Sequence, residues 1–342
     1  MKMFARVLLG LGALLVASVS GLGVALVQSA IRPARTVGVQ VESATDGQNR
    51  PISTVIYYPA QGEAKLTLLG LTPAMLARDA PVAVGQHPLI LISHGTAGSP
   101  TSHLDTALAL AEQGFIVAAP VHNGDNYRDQ SSVGTTNWIS DRAHEVVRVI
   151  DFMLGGWDQR SSIDSDRIGL FGFSAGATTA LINIGAASDF ALVADACQTN
   201  PEFACQLLPP GAVLSNPRME EVQDLRIKAA IIAAPGFGMA FTSEGLKSVT
   251  IPVDVWVGAA DARTPSGANA LAIAQRLPTH PSVHIVAGAG HASFLAPCGV
   301  TGVLVPSMVC ADARGFDREE FHRTFNAEVV SFFSRRLEYR GG

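Results

Sequence analysis

The segment 172–176, Gly-Phe-Ser-Ala-Gly, carries the serine best placed for covalent chemistry. Residues 167–171 before it have the apolar pattern of a short buried strand, and residues 175–182 have that of the start of a buried helix. A sharp turn between a strand and a helix presents a serine hydroxyl above the sheet, and glycine on both sides avoids a collision with the neighbouring backbone. We therefore predict that Ser174 is a nucleophile. The alternative is a plain Gly/Ser turn, which the motif alone does not exclude.

Four histidines follow Ser174 in the chain, and one of them is well placed to act as its base. A serine hydroxyl is a weak nucleophile at neutral pH unless a histidine removes its proton and a carboxylate orients that histidine. His291 directly follows an apolar strand, in a glycine-rich loop, so we predict it to be the base rather than an ordinary surface-loop histidine. The other three are less well placed. His280 lies in a turn on the side of the sheet opposite to the serine, His284 lies in the last strand, and His322 lies on the terminal helix.

Asp261 is the carboxylate that we expect to orient His291. It comes directly after the predicted strand 253–257, at the edge of the sheet where the serine also stands. After such a serine turn, the acid precedes the histidine along the chain. The alternatives are a turn-forming role for Asp261, which precedes Arg-Thr-Pro, and two other carboxylates. Glu244 is the first acid after the preceding strand, and Asp254 lies within a strand rather than beyond its end.

Two backbone N–H groups are predicted to stabilise the oxyanion that forms when the serine attacks a carbonyl carbon. One belongs to Ala175, the residue after the nucleophile. The other belongs to Thr96, with Gly95 as second choice, in the loop 93–98, Ser-His-Gly-Thr-Ala-Gly. The glycines of this loop allow a backbone N–H to turn into the site. His94 precedes the nucleophile, so we expect it to brace the loop by hydrogen bonding rather than act as the base.

The rest of the chain alternates strands with helices, which favours an α/β fold with a mostly parallel central sheet and helices on both faces. Residues 37–58 are predicted to form an antiparallel hairpin at the sheet edge, and residues 60–86 to cross the surface without regular structure. Residues 185–226 break the alternation and are predicted to form a small cap insertion over the site. The other predicted strands are 88–93, 115–119, 167–171, 227–234, 253–257 and 283–286, and the predicted helices are 104–111, 140–154, 175–182, 268–277 and 321–333.

Length and composition bound the class of protein. The chain has 342 residues, of which 48% are hydrophobic and 15% charged, so it is able to bury a large core, and we expect one domain over residues 37–338. The formal net charge of −5 gives no basic footprint and argues against nucleic acid as a partner. No internal repeat or low-complexity period interrupts the sequence.

Residues 1–30 have the composition of a targeting segment. Lys2 and Arg6 precede a run of 21 residues without a charge, from Val7 to Val27. This run is longer than the usual apolar region of a signal peptide and about as long as a membrane span requires, at about 20 residues. We therefore expect either a cleaved signal peptide or an uncleaved N-terminal anchor that tethers the protein to a membrane. In both cases the rest of the chain is expected to be exported, and thus periplasmic or secreted.

The four cysteines agree with export, because disulfides persist in oxidising compartments. Cys197 and Cys205 are eight residues apart, and Cys298 and Cys310 are twelve apart. Four cysteines allow three connectivities, of which the local pairing within each of these two pairs is the most economical. The alternative is four unpaired buried thiols. Since no C-x-x-C is present, zinc or thioredoxin-like chemistry is not expected.

Four segments of the chain are recognisable together: 93–96 and 172–176, described above, and 114–120 and 164–169. Together they resemble the bacterial dienelactone-hydrolase-like α/β-hydrolases, and they are also similar to the platelet-activating-factor acetylhydrolases, over roughly residues 37–335. The resemblance implies an α/β-hydrolase fold and a serine ester hydrolase that needs no cofactor or metal. Two departures limit it: dienelactone hydrolases carry a cysteine nucleophile in place of Ser174, and the acetylhydrolases are expected to place their acid one strand earlier than Asp261.

The resemblance and the predicted Ser-His-Asp set imply an enzyme that cleaves carboxylic esters of small or lipid-like molecules through an acyl-enzyme, and the predicted leader implies that this enzyme is exported. Two alternatives stay open. An exported peptidase or amidase would use the same groups on an amide bond. A non-catalytic binding protein of this fold is expected to lose one of the three groups, whereas this chain retains all three. Residues 122–127 follow a central strand and are expected to form a hydrogen-bonded loop network rather than to line the site.

Overall fold

The computed structural model of the protein describes residues 27–199, 201–299, 302 and 307–338. The strands are β1 (Val37–Thr45), β2 (Pro51–Pro59), β3 (Lys65–Leu69), β4 (Thr72–Arg78), β5 (His87–Ser93), β6 (Ile116–Pro120), β7 (Ile163–Phe173), β8 (Ile227–Ala233), β9 (Val253–Gly258) and β10 (Ser282–Val286). They form one sheet in the order β10-β9-β8-β7-β5-β6-β2-β1-β4-β3. All pairings from β10 to β6 in this order are parallel.

The α-helices are α1 (Leu104–Glu112), α2 (Trp138–Gly155), α3 (Ala175–Asn183), α4 (Ala191–Thr199), α5 (Phe203–Gln206), α6 (Met219–Val222), α7 (Ser243–Leu246), α8 (Ala270–Arg276), α9 (Ser307–Cys310) and α10 (Arg318–Arg336). Short 3₁₀ turns occur at Arg160–Ser162, Gly238–Ala240 and His291–Phe294. The helices predicted from residues 140 and 268 begin two residues earlier and two residues later than expected, a shift that is usual at helix ends.

The helices cover both faces of the sheet, and strand β5 shows how. Leu89 and Leu91 point into the buried cluster that contains residues of α2 and α3, whereas Ile90 and Ile92 point into the cluster that contains residues of α1 and α10. A strand that is buried on both faces is apolar at every position, which is why this segment was a continuous apolar run. The predicted fold class, a mostly parallel sheet with helices on both faces, is confirmed.

Two predictions for the N-terminal part of the sheet are wrong. Residues 60–86 contain β3 and β4, which pair antiparallel, and β4 pairs with β1 and so continues the sheet. The hairpin of β1 and β2 is antiparallel as predicted, but it lies inside the sheet rather than at its edge. The signal of β3 was hidden because its alternation is inverted: Leu66 and Leu68 are exposed, while Thr67 is buried.

The segment 185–226, the predicted cap, lies between α3 and β8 and contains the short helices α4, α5 and α6. Phe190 is buried against Phe237, with ring centroids 6.1 Å apart, so this aromatic side chain packs the cap onto the core. Phe203 lies under the guanidinium of Arg263, whose central carbon is 5.0 Å from the ring centroid. The segment 185–226 is therefore attached to the loop that follows β9, and its role as a cap stays a prediction.

Both predicted disulfides are present. Cys197 is bonded to Cys205 and Cys298 to Cys310, with Cα–Cα distances of 5.6 and 5.9 Å. The first bond joins α4 to α5 within the cap, and the second joins the segment after His291 to α9. The alternative of four unpaired thiols is wrong.

The predicted leader, residues 1–30, lies outside the described residues except for its last four. Within the described ranges, no helix combines the length and apolarity needed to cross a bilayer. The leader and its two alternatives, a cleaved signal peptide and an anchor, stay predictions.

Candidate active site

Ser174 stands between β7 and α3 in a strained backbone conformation, with φ of 56° and ψ of −119°. A positive φ is rare for a residue with a side chain, and it is what a sharp strand-to-helix turn at a nucleophile requires. The Ser174 N–H donates to Ala233 O of the neighbouring strand at 3.0 Å. A side chain at Gly172 would collide with Gly176 O, and one at Gly176 would collide with Ser93 O. Glycine is thus needed on both sides of the serine because the neighbouring backbone approaches closely at both positions.

The side chains of Ser174, His291 and Asp261 form one continuous hydrogen-bonded chain. Ser174 Oγ lies 2.9 Å from His291 Nε2, and His291 Nδ1 lies 2.7 Å from Asp261 Oδ2. These residues follow β7, β10 and β9, and the parallel pairing from β7 to β10 brings the carboxyl ends of these strands to one edge of the sheet. The distances are those required for proton transfer from the serine hydroxyl to the imidazole.

The residues that follow Asp261 in its loop hold its carboxylate ionised and in a fixed orientation. Its side chain is fully buried, and Oδ1 accepts the backbone N–H groups of Arg263 and Thr264, each at 2.9 Å. Oδ2 also accepts the Thr264 hydroxyl at 2.9 Å. Burial raises the pKa of Asp261, but the hydrogen bonds from His291 and Thr264 outweigh it and hold the pKa below its ordinary value. The carboxylate is therefore ionised at neutral pH, as stabilisation of an imidazolium requires.

The loop 93–98 lies directly beside Ser174. A side chain at Gly95 would come within 3.1 Å of Ser174 Cβ, so glycine at this position allows the loop to approach Ser174. The N–H of Ala97 is already committed, because it donates at 2.8 Å to a carboxylate in the loop after β6. Because the Ala97 N–H is committed, the Thr96 N–H is favoured over it as an oxyanion donor. The assignment of Thr96 stays a prediction.

Ala175, the other predicted oxyanion donor, is the first residue of α3. The first N–H groups of a helix have no partner within the helix, and they carry the positive end of the helix dipole. The N–H of Ala175 is thus of the kind that suits a developing negative charge, and its role also stays a prediction.

Both ring nitrogens of His94 are hydrogen-bonded, one within the loop 93–98 and the other to the loop after β6. Nδ1 lies 2.7 Å from Gly95 O, and Nε2 accepts the backbone N–H of His122 at 3.3 Å. Burial, with a smaller contribution from the charge of Arg142, lowers the pKa of His94 to about 4. A neutral imidazole with one donating and one accepting nitrogen agrees with both contacts. These bonds are of the bracing kind expected for His94.

A buried network behind the loop contains residues that sequence reasoning overlooks. His122 Nδ1 lies 2.7 Å from Glu145 Oε2, and His122 Nε2 lies 2.9 Å from Ser93 Oγ. Burial raises the pKa of Glu145 to about 8 and lowers that of His122 well below its ordinary value. Burial therefore disfavours the charged form of each group, and the hydrogen bond between them offsets part of the cost of burying two polar side chains.

Arg142 of α2 is the second overlooked member of this network. Its side chain is 1% exposed and contacts Asp125, with 2.6 Å between Nη1 and Oδ2. One sequence signal was available: Arg142 is three residues after Ile139 and four before Val146, both fully buried, so it lies on the apolar face of its helix. A charge at such a position requires a buried partner. The expected hydrogen-bonded network at residues 122–127 supplies that partner.

Two of the other three histidines after Ser174 are held by partners of their own. His284 Nε2 lies 2.9 Å from Asp254 Oδ2, between the paired strands β10 and β9. His322 Nδ1 lies 2.6 Å from Asp105 Oδ2, which joins α10 to α1. His280 lies in the turn before β10, at the edge of the sheet opposite to Ser174. The structure therefore brings together the histidine and the acid that the sequence favoured, and the other three histidines lie elsewhere.

Comparisons with known proteins agree with this fold. The model of the dienelactone hydrolase family matches residues 73–236, a range that includes Ser174 and the loop 93–98 but not Asp261 or His291. A probable 2-oxo-3-(5-oxofuran-2-ylidene)propanoate lactonase from Bradyrhizobium sp. is 29% identical over 114 residues. That match covers 32% of this chain and 44% of the relative, and so it spans less than half of the relative's length.

Two solved structures have a similar fold. A ferulic acid esterase from Streptomyces cinnamoneus has a TM-score of 0.65 and 18% identity, with 91% of this chain and 94% of that chain covered. A dienelactone hydrolase from Anabaena variabilis has a TM-score of 0.51 and 14% identity, with 89% of this chain and 100% of that chain covered. The protein thus has the same fold as these two hydrolases, and it is similar to the dienelactone hydrolase family in the part that contains the serine turn.

Proposed function

We propose that this protein is an exported serine hydrolase that cleaves carboxylic esters through an acyl-enzyme intermediate. The observation that carries the proposal is the continuous chain from Ser174 Oγ through His291 to the buried Asp261, with contacts of 2.9 and 2.7 Å. The similarity to the dienelactone hydrolase family, and relatives whose names describe a lactonase and a ferulic acid esterase, support an ester or lactone bond as the one that is cleaved.

In the proposed mechanism, Ser174 Oγ attacks the acyl carbon while His291 Nε2 takes the hydroxyl proton. Asp261 keeps the imidazole in the required tautomer and stabilises its charged form. The N–H groups of Thr96 and Ala175 bind the oxyanion of the tetrahedral intermediate. His291 then donates the proton to the leaving oxygen, which departs as an alcohol and leaves the acyl group on the serine. A water molecule, deprotonated by His291, then attacks the acyl carbon. The acyl group leaves as a carboxylic acid, and His291 returns the proton to Ser174 Oγ.

The proposed substrate is a small-molecule or lipid-like ester that the exported protein meets in the periplasm or outside the cell. Export is supported by the predicted leader at residues 1–30 and by the two disulfides, since such bonds form and persist in oxidising environments. The cap at residues 185–226 is proposed to face the acyl group, because Phe203 of the cap contacts Arg263, two residues after the acid.

Purified protein assayed on p-nitrophenyl butyrate and on butyryl p-nitroanilide tests this proposal. The two substrates share an acyl group, so they differ only in the bond that is broken. We expect ready turnover of the ester and far slower turnover of the anilide, because an amide nitrogen must be protonated before it leaves. Preferred cleavage of the anilide would favour a peptidase or amidase. Failure of the folded protein to cleave either substrate, or a series of p-nitrophenyl esters of other acyl lengths, would favour the non-catalytic alternative.

Replacing Asp261 with asparagine is expected to lower kcat by about 10⁴-fold, with a much smaller change in KM. The amide still accepts the N–H groups of Arg263 and Thr264 through its oxygen, but its nitrogen cannot accept the proton of His291 Nδ1. The imidazole is then favoured in the wrong tautomer, with its proton directed at Ser174. Steady-state kinetics on p-nitrophenyl butyrate measure the loss.

Asp254→Asn is the matched control for Asp261→Asn. Asp254 is also a buried carboxylate that contacts a histidine, His284, at 2.9 Å, but it stands in strand β9 rather than after it. We expect this variant to retain the wild-type kcat. Equal losses in the two variants would mean that removing any buried Asp-His contact impairs the enzyme, and the role proposed for Asp261 would then be wrong.

A further inference from the structure

The oxyanion loop 93–98 is attached from behind to a buried ion pair. Asp125 Oδ1 accepts the backbone N–H of Ala97 at 2.8 Å, and Asp125 Oδ2 lies 2.6 Å from Arg142 Nη1. The side chains of Asp125 and Arg142 are 0% and 1% exposed. The loop is therefore linked to α2 through two groups that water does not reach, so the link is not weakened by solvent screening.

The guanidinium of Arg142 also binds the loop and the nucleophile helix directly. Nη2 donates to His94 O, and Nε donates to Thr179 Oγ1 of α3 at 3.2 Å. The guanidinium thus joins the His94 carbonyl, the Asp125 carboxylate that holds Ala97, and helix α3. A lysine ammonium, which is a single point of charge, cannot reproduce this fork.

The backbone at Ala97 is in a conformation that requires such support. Its φ is 56°, in the left-handed region that residues with a side chain rarely adopt. Strained residues of this kind persist only where the surroundings over-determine them. The bond from Ala97 N–H to Asp125 is the contact that fixes this peptide, and the direction of the adjacent Thr96 N–H depends on the same stretch of backbone.

We propose that Arg142 and Asp125 are positioning residues that preorganise the oxyanion loop by fixing the two peptides on either side of the one that carries the Thr96 N–H. The proposal rests on the function proposed above for Ser174. Oxyanion donors act only when they are aimed at the place where charge develops, and misplacement by about 1 Å costs up to about 10²-fold in rate. Neither side chain touches the reacting atoms, so their effect is on kcat through the loop.

Loss of stability alone does not test this role, because removal of one partner from any buried ion pair destabilises a protein. A positioning role predicts a specific pattern in the folded enzyme, in which kcat for p-nitrophenyl butyrate falls and KM stays within about twofold. The affinity for a trifluoromethyl ketone analogue of the butyrate ester falls in parallel with kcat/KM. A purely structural role lowers the melting temperature and leaves these constants of the folded fraction unchanged.

Arg142→Lys is expected to lower kcat by about 10- to 100-fold, less than the loss of a whole oxyanion donor, which costs about 10²- to 10³-fold. The control is Arg226→Lys. Arg226 also binds carboxylates, those of Asp224 and Asp151, but it stands before β8 at the opposite edge of the sheet. We expect the control to keep the wild-type kcat. A folded Arg142→Lys variant with the wild-type kcat would overturn the proposal.

A pair of tryptophan variants decides the question if Arg142→Lys fails to fold. Trp138 Nε1 donates to Asp125 Oδ2 at 2.7 Å, and Trp157 Nε1 donates to Gln40 Oε1 at 2.9 Å. Both indoles are 1% exposed, so Trp138→Phe and Trp157→Phe each remove one buried hydrogen bond and keep an aromatic ring. We expect kcat to fall by about 3- to 10-fold only in Trp138→Phe, because a single donor out of several is removed.

Equal kcat values in the two tryptophan variants would overturn the positioning role. Failure of the proposed function gives a different result, since wild type and Ser174→Ala would then hydrolyse p-nitrophenyl butyrate at the same rate. Assaying Ser174→Ala beside the tryptophan pair therefore separates the two failures.

Discussion

Replacing Ser174 with alanine is expected to lower kcat for p-nitrophenyl butyrate by about 10⁶-fold, because nucleophile and base act as a unit and neither is effective alone. The variant removes only Oγ, the atom that lies 2.9 Å from His291 Nε2. Alanine meets the same backbone demand as serine at φ of 56°, so the free energy of unfolding should change little. Steady-state rates, corrected for spontaneous hydrolysis, and a thermal melt measure the two effects.

Ser331→Ala is a suitable control, prepared in the same way. Ser331 lies on α10, and its hydroxyl accepts a hydrogen bond from Arg335 Nη1 of the same helix. We expect this variant to have the wild-type kcat. If Ser174→Ala also kept more than a trace of wild-type activity at equal purity, the serine would not be the nucleophile, and the acyl-enzyme mechanism would fall with it.

Replacing His291 with alanine is expected to have an effect of the same size, about 10⁶-fold in kcat. The variant leaves Ser174 without a base and leaves the buried Asp261 without the hydrogen bond at 2.7 Å. KM should change far less than kcat, since the imidazole acts on protons and not on the acyl chain. Kinetics over a range of substrate concentrations separate the two constants.

His284→Ala is the matched control for His291→Ala. His284 also binds an aspartate, at 2.9 Å, and it stacks on Trp256 with ring centroids 4.0 Å apart. It lies within β10, whereas His291 follows that strand, so the two differ in their place relative to the serine. Retention of activity in His291→Ala, or an equal loss in His284→Ala, would contradict the assignment of the base.

The candidate triad was predictable because its positions follow from rules that act over short stretches of chain. The serine turn is encoded by glycines that flank Ser174 in sequence, and the collisions found at Gly172 and Gly176 are the physical reason for them. Asp261 and His291 each come directly after an apolar strand. Parallel strands of one sheet end at the same edge, so two local signals were enough to place two distant residues together.

The structural features that the sequence did not predict depend on contacts between distant segments of the chain. Strand β3 buries Thr67 and exposes Leu66 and Leu68, so its alternation gives the wrong face until the neighbouring β4 is known. Arg142 is read as one more residue of an amphipathic helix, and only the folded chain shows that it meets Asp125 and the carbonyl of His94. Each of these features is set by a partner that the local sequence does not specify.

Mass spectrometry after treatment with a fluorophosphonate tests the central claim most directly, because this reagent reacts with a serine only where a base and an oxyanion site activate it. We predict that the wild-type protein gains one phosphonyl group, that peptide mapping places the group on Ser174, and that Ser174→Ala gains none. A phosphonyl group on a different residue, or equal labelling of wild type and Ser174→Ala, would contradict the account.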